Sequence, residues 1–459
     1  MRHDSFTLIQ KYGISGPRYT SYPPAPVFSS DFDPAEYKNA IIRTEKNPAS
    51  PDLSLYVHIP FCDTLCYFCG CTTMITRNRK YIDEYLQYLK KEIDLLAPLL
   101  NPRRKVVQMH WGGGTPTYLS PAQIDELCRH LKRAFHFDAD AEISVEIDPR
   151  ELIYDHLSAL RQNGFNRVSM GVQDFNPNVQ HAVNREQSEL ITRQAIDWSR
   201  QLGIASINID LIYGLPLQTV QSFSETLDKV ISISPERIAV YNFAYVPWMK
   251  KQQKLIHVED LPSPETKIEI LTATIEKLTE AGYSYIGMDH FAKLDDELTI
   301  AQQNRTLHRN FQGYSTKSGL DLYALGMSAI SHFGTSYAQN AKTLPEYFEA
   351  IGSGIFATRV GYQMTVDDDI RKFVIMRLMC DLNLNKTDVE NRFGIKFDQY
   401  FADSFSQLKT LAEDGLVILA PTQLNVTLLG RLFLRNIAMC FDAYASKPAK
   451  QEHLYSQTV

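Results

Sequence analysis

Residues 53–71 read LSLYVHIPFCDTLCYFCGC, an apolar segment followed at once by Cys62, Cys66, Cys69 and Cys71. Four of the first six residues of this stretch are apolar or aromatic (Leu53, Leu55, Tyr56 and Val57), which is typical of a buried β-strand. Thiolates spaced C-x3-C-x2-C-x-C on one short loop can converge on a metal centre. A C-x3-C-x2-C loop can bind three irons of a cubane cluster and leave the fourth iron open to a small molecule. The spacing therefore favours an iron–sulfur centre.

Two other readings of the cysteines remain open, a structural zinc site and a redox-active thiol pair. Zinc loops usually contain two C-x2-C pairs separated by a dozen or more residues. No second pair is present here, because Cys128, Cys380 and Cys440 are isolated in apolar or helical stretches. A disulfide framework is disfavoured, because the chain has 7 cysteines, an odd number, and 459 residues, a length typical of an intracellular enzyme.

Composition excludes several functional classes. Apolar residues are 44% and charged residues 22% of the chain, which is normal for a globular protein, and the net charge of −6 argues against a nucleic-acid binder. No apolar run approaches the roughly 18 residues of a membrane span. The first residues lack the apolar segment of a signal peptide. We therefore expect a cytoplasmic protein with no membrane or nucleic-acid partner.

Short apolar runs alternate with helix-like segments through the first half of the chain. Six runs are predicted as parallel strands buried on both faces, at residues 53–58, 106–111, 143–147, 167–172, 206–212 and 238–243. Tyr81, Tyr85 and Leu89 begin a helix with one apolar face, and Ser120 and Gln123 form a capping-box pattern. Gly164 and Gly203 are predicted to follow helix ends. The pattern predicts an α/β fold, a partial (β/α)6 TIM-like barrel.

Two flanking regions do not follow this pattern. Residues 1–50 are predicted as an irregular N-terminal arm and residues 51–360 as the barrel with its extension. Residues 361–459 are predicted as a mostly helical, winged-helix-like lid domain, with helices at 365–381, 386–393 and 397–414, strands at 417–420 and 423–426, and a last helix. Lys plus Arg number 11 and Asp plus Glu 12 in this region, so it lacks the basic face of a DNA reader.

Polar and glycine residues follow the predicted strands, at the end where parallel α/β barrels place their active sites. The cysteine loop follows the first strand, and Gly112, Gly113, Gly114, Thr115 and Pro116 follow the second. Glu146 and Asp148 end the third strand, Gln173 and Asp174 end the fourth with Arg185 shortly after, and Asp210 lies inside the fifth. A carboxylate within a buried strand is costly without a partner. These residues either form internal salt bridges or line a cavity for a cationic, polar cofactor.

The cysteine loop, the glycine run and the partial barrel together resemble the radical S-adenosylmethionine superfamily. Within it, the chain closely resembles the oxygen-independent coproporphyrinogen III oxidase (dehydrogenase) family. The likeness is carried by Cys71 and by the segments YVHIPFC, HWGGGTP, DLIYGLP, GMSAI, PRYTSYPP and GMDHF, which begin at Tyr56, His110, Asp210, Gly326, Pro17 and Gly287. It spans almost the whole chain, including both flanking regions.

This resemblance implies roles for individual residues. Cys62, Cys66 and Cys69 would hold a [4Fe–4S] cluster, whereas Cys71 would not be a ligand. Two molecules of S-adenosyl-L-methionine are implied. The positions that match the family's cofactor contacts are Tyr56, Gly113, Glu146 and Ile330 for the first molecule, and Phe68, Gly114, Thr115, Gln173, Arg185, Asp210 and Ala244 for the second. Tyr56, His58 and Cys71 are the candidate catalytic residues.

The implied reaction is radical oxidative decarboxylation in anaerobic haem (porphyrin) biosynthesis. A 5′-deoxyadenosyl radical would abstract a β-hydrogen from the ring A and B propionates of coproporphyrinogen III, giving the vinyl groups of protoporphyrinogen IX. The tetra-anionic substrate requires cations, for which Arg18, Lys293 and Arg305 are candidates. The implied partners are a flavodoxin- or ferredoxin-like reductant and an electron acceptor. We expect a monomer, since a barrel with its own lid needs no second copy.

Three competing hypotheses remain from the sequence. A haem-chaperone paralogue would share the barrel but typically lacks the final cysteine of C-x-C and the long arm. A non-catalytic electron-transfer or structural zinc protein would use Cys71 as a fourth ligand. A DNA-binding iron–sulfur regulator is disfavoured by the charge balance of residues 361–459.

Overall fold

The computed structural model describes residues 7, 8 and 10–445. The strands of this part of the chain are β1 (Leu53–Ile59), β2 (Phe61–Cys62), β3 (Met74–Ile75), β4 (Lys105–Gly113), β5 (His136–Ile147), β6 (Arg167–Gln173), β7 (Ser206–Tyr213), β8 (Arg237–Asn242), β9 (Tyr283–Gly287), β10 (His290–Lys293), β11 (His308–Asn310), β12 (Gly313–Ser315), β13 (Asp321–Leu325), β14 (Ile330–Phe333), β15 (Ser336–Asn340), β16 (Thr358–Gln363), β17 (Asn383–Asn385), β18 (Val417–Leu419) and β19 (Gln423–Val426).

The helices are α1 (Pro34–Glu45), α2 (Lys80–Leu96), α3 (Pro121–Ala134), α4 (Tyr154–Gln162), α5 (Pro177–Ala182), α6 (Glu189–Gln201), α7 (Val220–Ile233), α8 (Pro264–Glu280), α9 (Glu297–Gln303), α10 (Leu344–Gly352), α11 (Val366–Asp381), α12 (Lys386–Phe393), α13 (Phe397–Tyr400), α14 (Phe405–Glu413) and α15 (Leu434–Met439). None of the helices among the described residues is both long enough and apolar enough to span a membrane.

The predicted partial (β/α)6 barrel is confirmed. Strands β1, β4, β5, β6, β7 and β8 lie side by side in parallel, and at least one helix follows each of them along the chain. The capping box of Ser120 and Gln123 begins α3, and Gly164 and Gly203 adopt positive φ angles just after α4 and α6. The helices pack against the outer face of the sheet and form the largest apolar core with it.

The sheet continues beyond the six strands on both sides. Among the described residues it has twelve strands in the order β16-β15-β14-β13-β1-β4-β5-β6-β7-β8-β10-β9. Strand β13 is parallel to β1, whereas β14, β15 and β16 return in antiparallel hairpins, as do β9 and β10. The sequence analysis assigned no strands here, because the short segments alternate less clearly than the buried parallel strands. Within the part of the chain that the structure describes, the first and last strands of this sheet, β16 and β9, do not pair with each other, so the barrel is open.

The N-terminal region is more regular than the sequence analysis predicts, because residues 34–45 form helix α1. The Asp33 side chain accepts a hydrogen bond from the Glu36 amide at 2.8 Å, and Pro34 occupies the first turn. Tyr37 and Ile41 bury the inner face of this helix against the barrel. The residues before it pack on the C-terminal region, where Arg435 donates to the carbonyl oxygens of residues 16 and 17.

The C-terminal region contains the expected helices, except that residues 397–414 do not form one helix. Helix α13 ends before Phe401, whose backbone leaves the helical conformation, and α14 begins at Phe405. The break lets Phe397 and Phe401 both pack on Phe441, with ring centroids 6.1 and 5.2 Å away. Strands β17, β19 and β18 form the small antiparallel sheet of this region. The domain boundaries at residues 50 and 360 remain predictions.

A buried carboxylate joins the outer helices to the sheet extension. Glu92 of α2 accepts hydrogen bonds from the Gly326 amide at 2.6 Å, from Asn340 Nδ2 at 2.6 Å and from the Tyr347 hydroxyl at 2.7 Å. Burial raises the pKa of Glu92 to about 7, although the three hydrogen bonds oppose this rise. The protonated form is therefore favoured in the folded protein.

We expect Glu92 to make folding stability pH-dependent. Since its pKa is raised from 4.5 in the unfolded chain to about 7 in the folded protein, its contribution is fully present below pH 4.5 and is lost as the pH rises through 7. The free energy of unfolding of the wild type, relative to Glu92→Gln, should fall by about 2.5 kcal/mol between pH 5 and pH 8. Urea titrations of both proteins at the two pH values measure this change in the free energy of unfolding. The exposed Glu84→Gln of the same helix is the control, and parallel pH curves for wild type and Glu92→Gln would contradict the assignment.

Candidate active site

The cysteine loop lies at the carboxyl end of β1, against the carboxyl end of β4. The amides of Gly114 and Thr115 donate to the carbonyl oxygens of Ile59 and Phe61, both at 2.8 Å. Further along, β2 pairs in parallel with β3 and closes the loop on itself. The Thr115 hydroxyl lies 3.5 Å from Cys62 Sγ. The loop is therefore anchored at its first cysteine by the segment that follows β4.

Neighbouring atoms lie so close to the backbone at the end of β4 that only glycine fits at residues 112–114. A Cβ on Gly112 would lie 2.9 Å from the Glu146 carboxylate, one on Gly113 2.5 Å from the His58 ring, and one on Gly114 2.7 Å from the Phe61 carbonyl oxygen. Gly113 also has a φ of +114°, which favours glycine. Without side chains at these positions, the catalytic candidates and the cysteine loop can contact the same short piece of backbone.

Two guanidinium groups lie beside the Cys66 thiol. Arg150 Nη2 and Arg185 Nη1 are each 3.6 Å from Cys66 Sγ, and both also donate to Asp148 Oδ2, at 2.6 and 3.1 Å. Burial by itself would raise the pKa of Asp148, but Arg185 and Arg150 outweigh it and bring this pKa to about 2. Arg150, Arg185 and Asp148 thus form one ion-paired group beside the Cys66 thiol.

The remaining thiols of the loop differ in their protonation. A hydrogen bond from Cys71 lowers the pKa of Cys69 to about 6, and the charges of Lys250 and Arg185 act in the same direction. Burial raises the pKa of Cys62 to about 12. Because a metal centre binds thiolates, its assembly here must release the proton of Cys62.

The spacing of the cysteines along the loop suits a cubane cluster better than a single metal ion. Nowhere in the described part of the chain do three His, Cys, Asp or Glu side chains converge on one metal position. A tetrahedral zinc site needs its sulfur ligands on one ion at about 2.3 Å, whereas a cubane takes each thiolate on a separate iron. Three thiols on one loop, with guanidinium groups beside them, fit a cubane cluster, which is larger than a single zinc ion.

Tyr56 and His58 lie on the inner face of β1, below the cysteine loop. His58 Nε2 is 3.0 Å from the Thr72 carbonyl oxygen, so this nitrogen carries the proton and Nδ1 accepts from the Tyr56 hydroxyl at 3.1 Å. Burial lowers the pKa of His58, which keeps the ring neutral. The Tyr56 ring stacks on His110 of β4, with centroids 5.9 Å apart.

Glu146 faces the same interior space from β5. One carboxylate oxygen accepts from the Gly113 amide at 3.1 Å and the other from His110 Nε2 at 3.3 Å. About 44% of its side chain remains accessible, which shows that the carboxylate faces open space in the barrel. Burial opposes ionisation, but the hydrogen bond and charge of His110 lower the pKa of Glu146 overall.

Asp210 lies across the barrel on β7. Its oxygens accept from the Ser169 hydroxyl and from Asn208 Nδ2, both at 2.8 Å, and burial raises its pKa to about 6. Asp174, in contrast, is buried between Gln218 and Thr226 on the helix side of the sheet, at 2.6 and 2.5 Å. Asp174 is therefore a structural residue.

Gln173 and Arg185 meet at the end of β6. Arg185 Nη2 donates to the Gly171 carbonyl oxygen at 2.6 Å, and a Cβ on Gly171 would lie 2.7 Å from Gln173 Nε2. Gln173 has a φ of +70°, a left-handed conformation that is uncommon for glutamine. Such strain is frequent at ligand sites.

Residues 250–253, which no sequence pattern singled out, bind the cysteine loop from the opposite side. Lys250 Nζ donates to the Cys71 carbonyl oxygen at 2.9 Å, and Gln252 Nε2 to that of Cys69 at 2.6 Å. Gln253 Nε2 donates to the carbonyl oxygens of both Phe68 and Ala244, at 3.1 and 3.0 Å. Gln253 thus joins two of the residues proposed for the second cofactor molecule. No motif in this segment indicates the role, because the contacts are made to backbone atoms.

Ile330 and the three candidate cations lie in different surroundings. Ile330 is on β14, two strands from β1 in the sheet. Arg18 Nη2 pairs with the buried Asp289 at 2.5 Å inside the barrel, whereas Lys293 pairs with Glu236 at 3.3 Å. Arg305 is exposed. The structure does not bring these three cations together.

Comparisons with known proteins agree with this geometry. The model of the radical SAM superfamily matches residues 56–230, and that of the HemN C-terminal domain matches residues 364–433. The chain is 50% identical to oxygen-independent coproporphyrinogen III oxidases of Salmonella typhimurium and of Escherichia coli, in each case over 97% of this chain and 96% of the relative. The relative from Synechocystis is 47% identical over 99% of this chain and 98% of its own.

The fold comparison extends to the whole molecule. The solved structure of coproporphyrinogen III oxidase (HemN) from Escherichia coli, described as a radical SAM enzyme, superposes with a TM-score of 0.91 at 48% identity and covers 96% of this chain and 98% of its own. The chain therefore belongs to the oxygen-independent coproporphyrinogen III oxidase family, radical S-adenosylmethionine oxidoreductases that use a [4Fe–4S] cluster and S-adenosylmethionine.

Proposed function

We propose that this enzyme converts the ring A and B propionates of coproporphyrinogen III to vinyl groups, giving protoporphyrinogen IX for haem biosynthesis without O2. The observation that carries the proposal is the cysteine loop, which is held between the glycine run and residues 250–253 directly above Tyr56, His58 and Glu146. The names of relatives that are 50% identical over 97% of the chain support the substrate.

In this proposal, Cys62, Cys66 and Cys69 hold the cluster and Cys71 does not. Cys71 is the exposed member of the group, and its hydrogen bond to Cys69 favours the thiolate of its neighbour. Arg150 and Arg185 offset the negative charge of the loop. The exposed Gly70 and Cys71 bring the loop to the surface, where a flavodoxin- or ferredoxin-like protein can deliver one electron.

We assign the first S-adenosylmethionine to Tyr56, Gly113, Glu146 and Ile330. Glu146 offers an accessible carboxylate beside the cysteine loop, which suits an amino group, a sulfonium or ribose hydroxyls. The second molecule is assigned to Phe68, Gly114, Thr115, Gln173, Arg185, Asp210 and Ala244. The bridge from Gln253 to Phe68 and Ala244, and the contact of Arg185 with the end of β6, support the grouping.

Held by the cysteine loop and the residues assigned above, the cluster and S-adenosylmethionine would supply a 5′-deoxyadenosyl radical able to take a β-hydrogen from a substrate propionate. The resulting substrate radical loses CO2 and one electron, which leaves the vinyl group; the electron passes to an acceptor. Tyr56 and His58 position the reacting groups, because a neutral His58 fixes the Tyr56 hydroxyl through one hydrogen bond. Cys71 is placed at the mouth of the same site.

We further propose a cytoplasmic monomer in which residues 1–50 form an arm, residues 51–360 the barrel and residues 361–459 a lid. The unpaired thiols suit a reducing compartment. Contacts of Arg435 with the arm, and of Tyr19 with Asp442 at 2.9 Å, support an arm and lid that pack as one cover.

Anaerobic turnover of the reconstituted protein tests the reaction. We expect S-adenosylmethionine, a reductant, an electron acceptor and coproporphyrinogen III to yield one 5′-deoxyadenosine per vinyl group formed, with a two-vinyl product, as measured by chromatography of nucleosides and tetrapyrroles. Deoxyadenosine without any change in the tetrapyrrole would reject this substrate, and tight haem binding in its place would favour the haem-chaperone alternative.

Serine variants test the assignment of the four cysteines. Cys62→Ser, Cys66→Ser and Cys69→Ser should each lower iron and sulfide from about four per chain to well below half of that value, because a cubane needs all three ligands. Cys71→Ser should keep the wild-type iron content but lose turnover. The buried Cys128→Ser is the control for general effects of the substitution. Loss of iron in Cys71→Ser would instead favour a fully ligated electron-transfer or zinc centre.

A further inference from the structure

A small pocket, part of it open to solvent, forms a cavity at the amino-terminal end of β1, on the opposite side of the Tyr56 layer from the cysteine loop. Its lining carries no carboxylate, although the chain as a whole has a net charge of −6. Five basic residues line it instead: His308, Arg309, Lys317, His332 and Lys372. Such a concentration of basic groups without acids indicates a site for an anion.

The sheet register places this cavity close to the active site. Ser54 of β1 pairs with Leu322, which pairs with His332, which pairs with Tyr337, and all four line the cavity. Since alternate residues of a strand share a face, Tyr56 lies on the same inner face as Ser54, about 7 Å further along β1. Ile330 stands in the same relation to His332 on β14. The cavity is thus the next layer of the barrel interior below Tyr56 and Ile330.

Arg309 is the strongest sign that a ligand belongs in the cavity. Its side chain is only 4% exposed, and its Nε and Nη1 atoms are buried without a hydrogen-bond partner. Its guanidinium packs 4.7 Å from the centre of the Tyr314 ring. The charge of Arg309 acts on the Asp289 carboxylate, but that carboxylate is paired with Arg18 and does not line the cavity. Buried guanidinium hydrogens without acceptors are costly, so an anion would satisfy them.

Lys372 lies in a similar position on α11. Its Nζ atom donates to His332 Nε2 at 2.7 Å, and it lies 5.2 Å from the centre of the Tyr337 ring. Burial lowers the pKa of Lys372 to about 8, and Asp369 only partly opposes this. Burial and the charge of Lys372 also lower the pKa of His332 and bring that of His308 to about 4. The ammonium therefore has only a neutral imidazole as its hydrogen-bond partner in the cavity.

We propose that this basic cavity binds carboxylates of the substrate propionates that are not reacting, with Arg309 and Lys372 as the principal contacts. The inference rests on the proposed function, because a tetrapyrrole with four propionates can present one to the Tyr56 layer and others to the layer below. Arg309 and Lys372 would then be the substrate-binding cations, in place of Lys293 and Arg305, which the sequence analysis gave as candidates. The lid and the arm take part, since Lys372, Thr20 and Ser21 line the cavity.

Binding of coproporphyrin III, the air-stable tetracarboxylate, to the reconstituted holoprotein tests the inference. We expect Lys372→Met and Arg309→Met each to raise its dissociation constant about tenfold or more, because each removes a charge-assisted hydrogen bond. Lys372→Arg, which keeps the charge, should stay within about threefold of the wild type. The exposed Lys409→Met is the matched control. Fluorescence titration measures the constants, and unchanged values for both methionine variants would overturn the inference.

A second measurement on the wild type avoids dependence on the folding of variants. Carbodiimide activation of coproporphyrin III carboxylates should form an amide with Lys372 or Lys317, which peptide mass spectrometry locates. Labelling at neither lysine, with labelling elsewhere, would contradict the inference. A protein that turns over coproporphyrinogen III with unaltered binding in both variants would retain the proposed function and lose this site. A protein that binds the tetracarboxylate through the cavity but shows no turnover would retain this site and lose the proposed function.

Discussion

The arrangement of this enzyme depends on how closely β4 approaches the cysteine loop. Three consecutive glycines leave no side chains between the end of β4 and its neighbours, and a Cβ on any of them would lie within 2.9 Å of Glu146, His58 or the loop backbone. Backbone amides at this end of β4 therefore donate hydrogen bonds directly to the Ile59 and Phe61 carbonyl oxygens and to the Glu146 carboxylate. The cysteine loop thereby has a fixed position relative to the inner face of the barrel.

Charge is distributed in layers along the barrel axis. Guanidinium groups of Arg150 and Arg185 surround the thiol of Cys66 at the top, and the carboxylates of Glu146 and Asp210 face the space below. Basic side chains then line the cavity one layer further down. This order matches the charges of the proposed ligands, which are an anionic thiolate-bound cluster, a cationic sulfonium and an anionic substrate. The overall negative charge of the chain conceals this separation.

The elements outside the six βα units contribute side chains to the interior of the barrel. Strands β13 and β14 extend the sheet beyond β1 and carry Leu322, Ile330 and His332 to the interior. The buried carboxylate of Glu92 connects that extension to helix α2 through three hydrogen bonds. The arm and the C-terminal helices pack together and bring Ser21 and Lys372 into the same cavity. Residues more than three hundred positions apart therefore line one site.

The sequence by itself determined the parallel strands, the caps of α3 and α11, the cysteine loop and the glycine run, because each rests on local periodicity or on residue types at short spacing. It did not indicate α1, the break between α13 and α14, or the strands from β9 to β17, where tertiary packing decides between weak local preferences. Only the tertiary structure identified the backbone contacts of Gln252 and Gln253, and the unpaired nitrogens of Arg309. A glutamine that binds a carbonyl oxygen, or an arginine without an acid, has no sequence signature, since the partner is defined by position in space.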